Sequence, residues 1–496
     1  MRKSNTQARR NGYFGGIGIG KANDVYDKYF PEFLRPQDLG FAQGEGIAGK
    51  NFEDPNYTSD DFMNGRYDLA WSPDLDYCKF VNDSLYRSQG DRLDEYDPIQ
   101  GVPSYANDFE NTEKLYAGYI MAEINIGKKI MLLPGVRYEN EQTVYSSFYA
   151  REDPFAPSGL MSGYPIAVKA NRNNTNWFPS INIKYDVNDW MDVRGAYYKS
   201  ASRPDYNLLS PSMVANNNLS ILSSYNPYLI PAIAHNYDLG VSFFTNKIGL
   251  FTANVFYKEI SDLLYRLPRY KPEYFNDLEG APESLITSLE KPRELYDPAL
   301  FKTAGTENNN MPINNPNKSY YYGFEVSWQT NFWYLPGALK GIVLDLNYSM
   351  IWSKTKLPYI DFKTVTDSSG PFPKPKTIPF YATRESRMLD QPASMFNARI
   401  GWDYKGFSSR LSFRYQGATI TSVDPLRSLL DEVTGNQFLM DLSLKQKIVK
   451  GLSVSLDISN LTKFVDDRFV YAQDYIMPRA GEYYGSTIQL GLRYKL

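Results

Sequence analysis

Along most of this chain, apolar and polar side chains alternate with a period of two, the signature of strands with one greasy and one wet face. Leu452, Val454, Leu456 and Ile458 alternate with Ser453, Ser455, Asp457 and Ser459. Ile488, Leu490, Leu492, Tyr494 and Leu496 share a face opposed by Gln489, Arg493 and Lys495. The pattern recurs in Phe438/Met440/Leu442/Leu444, Tyr322/Phe324/Val326/Trp328, Leu344/Leu346/Tyr348/Met350 and Phe396/Ala398/Ile400/Trp402/Tyr404. Many segments run for ~10–15 residues, longer than the ~5–6 of an ordinary soluble strand. That length suits a strand tilted by ~45° across a bilayer, which needs ~9–11 residues.

Alternation alone does not separate a membrane sheet from a soluble sandwich, because both have one packed face. The connections decide. Short turns at 127–129, 187–189, 246–247, 405–406 and 450–451 alternate with long segments at 148–174, 205–233, 268–318, 359–391, 424–435 and 465–482. Tight periplasmic turns and long extracellular loops are the asymmetry of an outer-membrane barrel. Every backbone N–H and C=O at membrane depth must be paired, so such a sheet has to close. The expected fold is therefore all-β, an antiparallel transmembrane β-barrel with about 13–14 strands visible. Tyr145, Trp177, Tyr197, Trp333, Tyr334 and Trp352 fall near strand ends, where aromatic girdles sit.

Composition narrows the chemistry. The 496 residues carry 53 Lys+Arg and 56 Asp+Glu, with no basic block, which argues against a nucleic-acid partner. One Cys and one His exclude a disulfide framework and a Cys/His metal site within a monomer, and leave little for His-based catalysis. Tyr, Phe and Trp make up 15%, enough to furnish the girdles. The first ten residues lack the apolar core of a secretory signal.

Several stretches resemble the barrel of TonB-dependent outer-membrane receptors. Leu133-Pro134-Gly135-Val136-Arg137-Tyr138-Glu139 is similar to one of that family's strands. Ser202-Arg203-Pro204 followed by Leu209-Ser210-Pro211 is similar to its turn into a loop. Asn226-Pro227-Tyr228-Leu229-Ile230-Pro231 then Asn236-Tyr237-Asp238-Leu239-Gly240, Tyr322-Gly323-Phe324-Glu325, and Ser459-Asn460-Leu461-Thr462 complete the series in order. The resemblance implies a barrel of about twenty-two strands, an N-terminal plug and a TonB-box peptide. It implies import of a siderophore, vitamin, oligosaccharide or peptide captured by extracellular loops. It further implies contacts with outer-membrane lipid and lipopolysaccharide, with TonB through the plug, and with a surface lipoprotein. No cofactor is implied. Residues 1–20 read as the remnant of an earlier strand and turn, 21–111 as a long acidic extracellular loop region, and 112–496 as barrel. A diffusion channel of about fourteen strands and an outer-membrane adhesin or envelope-assembly subunit are the rival readings.

Candidate sites compete with plainer roles. Asp54, Asp60, Asp61, Asp74, Asp76, Asp91, Asp94, Glu95 and Asp97 invite a Ca²⁺ site but match no calcium-loop spacing, so a solvated loop accounts for them better. Asn308-Asn309-Asn310 and Asn314-Asn315-Pro316-Asn317 would suit sugar hydroxyls, although such runs usually build turns. Gly15–Gly20 matches no phosphate loop and fits a strand or turn. His235 has no legible nucleophile beside it, and no catalytic residue is assigned. Cys78 reads as an inert thiol. Arg194, Lys184, Arg399, Arg410, Arg414, Lys445 and Arg493 read as inward cations facing Asp186, Asp192, Asp345, Asp403 and Asp441.

A sheet whose first strand has no neighbour would expose an open edge to lipid. The mature protein from its source membrane is therefore expected to show an intact mass well above 56.8 kDa. A mass near that value would mean that these strands close alone, in favour of the channel.

Overall fold

The computed structural model describes residues 2–8, 74, 76, 77, 80 and 109–495, except 151–164, 212, 217–220, 269–277, 296–309, 370–371, 425–429 and 473–474. Gly15–Gly20, Cys78, Leu496 and most of the acidic 21–111 region lie outside them. Of the acidic set only Asp74 and Asp76 are described, and the Asp74 carboxylate accepts the Tyr77 backbone N–H at 2.9 Å.

Fourteen strands form one antiparallel wall. They are β1 (Arg2–Ala8), β2 (Phe109–Met121, resumed at Ile124–Ile126), β3 (Ile130–Ala150), β4 (Pro165–Asn188), β5 (Met191–Ser202), β6 (Ala232–Thr245) and β7 (Gly249–Ser261). There follow β8 (Ser319–Asn331), β9 (Ile342–Asp367), β10 (Ser394–Tyr404), β11 (Phe407–Gln416), β12 (Gln437–Val449), β13 (Leu452–Ser459) and β14 (Thr487–Tyr494). Each pairs with the next in sequence, the up-and-down order of a membrane barrel. Among the described residues β1 pairs only with β2, and β14 only with β13.

One face of this wall is apolar and open, the other charged. Leu490 and Leu492 are three-quarters exposed, and Leu239, Val255 and Ile400 stand out on the same side. An apolar band of this extent needs hydrocarbon against it. The opposite face holds ion pairs: Lys184–Asp186 at 2.7 Å, Arg194–Asp192 at 3.1 Å and Arg410–Asp403 at 2.6 Å. The inward cations and acids expected from the sequence thus meet there in part.

Register lines the outer aromatics into a belt. Tyr138 lies opposite Trp177, Tyr197 opposite Tyr237, Tyr237 opposite Tyr257, Tyr257 opposite Tyr322, and Tyr322 opposite Trp352. At the other end, indole N–H groups of Trp328, Trp333 and Trp402 donate to turn carbonyls of Ile248, Asn246 and Ala338 at 2.7–2.8 Å. A ring with an apolar body and one satisfied donor is what an interface selects. Tyr145 departs from the expected girdle. It is 1% exposed and lies on the inner face, because it falls an odd number of residues after the outward Tyr138.

The tight turns at Lys405-Gly406 and Lys450-Gly451 use glycines at φ 82° and 85°, a region that favours glycine. A further turn closes through the 3₁₀ segment Gly337–Gly341, which alternation does not signal.

Among the described residues, parts of the long segments are regular strand. β3 and β4 stay paired up to Ala150 opposite Pro165, so much of 148–174 is strand. Likewise β9 runs to Asp367 against Lys374–Ser386 through most of 359–391. Above the belt the outer face turns polar, which hides the strands from a hydropathy pattern. Asn140 donates to Asn173 at 2.8 Å and Thr175 at 2.9 Å there.

Ile400 on the outer face and Asn397 on the inner face test this two-sided wall. Ile400→Arg should destabilise by about 2–4 kcal/mol, and Asn397→Arg by no more than about 0.5 kcal/mol. Urea titration of the refolded barrel in lipid vesicles, read by heat-modifiable gel mobility, checks both.

Candidate functional site

At the end of the wall opposite the tight turns, the connections build a cap with its own core. Strand Leu264–Pro268 pairs antiparallel with Asn310–Asn314, and alternation gives this pair two faces. Leu267 and Met311, register partners, are buried with Ile313, Leu278, Ile360 and two helix residues, Leu285 and Leu289. Those leucines sit four apart on the helix Glu283–Glu294, so one stripe covers the core. On the other face Arg266 and its partner Pro312 look into a cavity.

A second part of the cap is the 205–231 connection, which folds onto the inner wall of β3 and β4. Leu209 and Leu229 pack on the buried Tyr145. Beneath them lies a four-membered charge network. Arg172 bonds Glu141, Arg203 bonds both Glu141 and Glu139, and the Arg172 guanidinium donates to the Leu229 carbonyl at 2.5 Å. The Arg172 and Glu141 side chains are only 6% and 3% exposed, so neither charge tolerates the loss of its partner. Burial works against the Arg203 charge, but its bonds to Glu141 and Glu139 outweigh that and raise its pKa.

Asparagine amides tie the pieces together. Asn314 exchanges bonds with the Ile230 backbone at 2.8 and 3.0 Å, Asn226 donates to the Pro312 carbonyl at 3.1 Å, and Asn315 to the Lys356 carbonyl at 2.9 Å. These side chains serve as clamps between connections. Asn310 lines the cavity, whereas Asn308 and Asn309 lie outside the described residues.

The third wall is a four-stranded sheet of Thr419–Ser422, Glu432–Thr434, Val465–Ala472 and Tyr475–Tyr483. Arg384 fastens it to the strand Lys374–Ser386 by bonding the Asp431 carboxylate and the Asp424 carbonyl.

Between these walls lies a cavity of about 790 Å³. Leu208, Leu229, Leu264, Leu389 and Met477 give it an apolar lining, and Arg266, Arg479, Asp424 and Glu432 charge its rim. Burial pushes the Tyr265 phenol beside it up to about 12, so it stays a neutral hydrogen-bond donor at any physiological pH. The size and the mix of apolar lining with a few charges suit a small amphipathic molecule. His235 is elsewhere, on the outer face, with Nδ1 3.0 Å from the Tyr197 hydroxyl. Arg172, Arg266, Arg479 and Arg384 were not legible as site residues from the sequence. The one local signal was the alternation of Met311 and Ile313 within a segment otherwise read as loop.

The family model described as TonB dependent receptor-like, beta-barrel, matches residues 4–461. The chain belongs to the TonB-dependent receptor β-barrel family. Members are outer-membrane transporters of Gram-negative bacteria rather than enzymes. A search of the curated proteins finds no match. Among solved structures, the ferric-catecholate import receptor Fiu from E. coli K12 is 16% identical, with 78% of this chain aligned to 45% of that one at a TM-score of 0.47. The siderophore receptor PiuA from Acinetobacter baumannii is 14% identical, over 78% and 44% of the two chains at 0.47. The Serratia marcescens hemophore receptor HasR is 13% identical, over 80% and 52% at 0.47. The chain spans about half the length of these receptors.

In this receptor barrel the charge network is the anchor of the inward-folded connection. Arg172→Met should cost about 3–5 kcal/mol by leaving Glu141 buried with less compensation. Hydrogen exchange should show faster exchange confined to residues 205–231 and the adjoining ends of β3 and β4. Unchanged exchange there would show that the network does not hold the connection.

Proposed function

We propose that this protein is the barrel portion of a TonB-dependent importer that captures a scarce nutrient in the cavity of its extracellular cap. The observation that carries this reading is the apolar, charge-rimmed cavity of about 790 Å³, built at the loop end of a barrel of this family. Ligands of the class include iron chelates, vitamins, oligosaccharides and peptides. A plug and a TonB-box peptide from outside this chain would couple capture to TonB and the proton motive force. On this reading the protein transports its ligand and does not transform it, in keeping with a family whose members are transporters rather than enzymes.

In planar bilayers bathed in KCl, the complete protein should be nearly silent; a steady porin-sized conductance would overturn import in favour of diffusion. Growth on a panel of ferric chelates, cobalamin, maltodextrins and peptides should show one member supported only in a TonB-competent host. Arg266→Glu with Arg479→Glu should weaken capture of that member at least about tenfold, with unchanged barrel assembly.

A further inference from the structure

The cap cavity runs along the edges of two strands rather than over their faces. Leu264, Tyr265 and Arg266 all line it, and so does the run 421–424. Successive side chains of a strand point to opposite faces, so a space bordered by consecutive residues lies beside the backbone. Among the described residues each strand is paired on one edge only, Leu264–Pro268 with Asn310–Asn314 and Thr419–Ser422 with Glu432–Thr434.

The phase of the ladder fixes which backbone groups meet the cavity. The Asn315 N–H donates to the Leu263 carbonyl at 2.8 Å. Antiparallel pairs alternate between bonded and non-bonded, so Tyr265–Ile313 and Leu267–Met311 are the bonded ones. Leu264 and Arg266 then turn their N–H and C=O groups to the free edge. Pro312, which has no N–H to give, falls opposite Arg266, where that phase asks for none. On the facing strand the edge is already taken at Ile420, whose carbonyl accepts the Asp390 N–H at 2.9 Å. The Leu264–Pro268 edge is therefore the open one.

An open edge beside apolar side chains suits an extended peptide, whose main chain continues the ladder while alternate side chains take the apolar contact. The side chains around this edge are mostly aliphatic, with Tyr265 the one ring in the described lining, so a sugar finds little to stack on. Two arginines are matched by two carboxylates, which gives a strongly anionic chelate no net attraction. The acids share a corner: Asp424 donates its backbone N–H to the Asp431 carboxylate at 3.0 Å, and Glu432 follows in sequence. Arg479 stands two strands away across the same sheet.

We propose that the cavity takes a short aliphatic oligopeptide with free ends, bound as an added strand along the Leu264–Pro268 edge. Its ammonium end lies toward Asp424 and Glu432 and its carboxylate toward Arg479. A peptide of about five residues matches the length of the strand. The proposal rests on the reading of this cavity as the capture site and narrows it to one ligand class.

The complete protein in detergent would be titrated calorimetrically with the pentapeptide Ala-Leu-Ala-Leu-Ala, a ferric catecholate, cobalamin and maltopentaose. The peptide should bind in preference. N-methylation of its backbone amides keeps the side chains and end charges but removes the donors, and should weaken binding at least about tenfold. Arg479→Gln should weaken the free-acid peptide about fivefold and leave its C-terminal amide unchanged. Glu432→Gln should do the same to the free amine and spare its N-acetyl form. Equal binding of the N-methylated peptide would overturn the proposal. So would preference for the chelate, cobalamin or maltopentaose that Arg266→Glu with Arg479→Glu weakens, an outcome that leaves capture in this cavity standing. Binding that ignores both arginines would instead remove the cavity as the capture site, and the proposal with it.

Discussion

Hydrocarbon cannot hydrogen-bond, and nearly everything in this structure follows from that. A strand at membrane depth has to find its backbone partners in neighbouring strands, so the wall is a continuous antiparallel ladder in sequence order. The same constraint sorts the side chains. Period two puts one set against lipid and the other toward the lumen, and a shift of one residue in register would exchange them wholesale. Tyr138 faces out and Tyr145 faces in for no other reason than parity.

Outside the bilayer the constraint relaxes, and the chain changes character at the aromatic belt. The long β3–β4 hairpin continues past it with Asn140, Asn173 and Thr175 on the outer side, where water is as good a partner as lipid is a poor one. Released from the wall, the connections bury leucines against each other, and a small core of Leu267, Leu285, Leu289, Met311 and Ile313 forms above the barrel. Around it, asparagine amides and the Glu139–Glu141–Arg172–Arg203 network fix one connection to the next. The cap cavity is the space these packed connections leave between them.

How much of this was legible in the sequence depended on how local the governing physics is. Alternation, strand length and the asymmetry of the connections are local properties, so the all-β membrane barrel, its tight turns and its wall strands followed from them. The ends of the strands did not, because just above the belt the outer face of β3 and β4 carries Asn140, Gln142, Asn173 and Thr175, which resemble loop. The aromatic belt was legible at Trp177, Tyr197, Trp333 and Trp352, and failed at Tyr145, where proximity to a strand end said nothing about which face the ring takes.

The candidate site belongs wholly to tertiary structure. Arg172 and Arg203 lie 31 residues apart and meet on Glu141 only through the pairing of β3 with β4 and the return of the chain after β5. Arg266 and Arg479 line one cavity from connections more than two hundred residues apart. By itself the sequence determined the membrane, the sheet and its two faces, because solvent acts on each residue where it stands. Only the folded chain decided where charges meet and where cavities open, because those depend on register and on loop packing, which no single segment encodes.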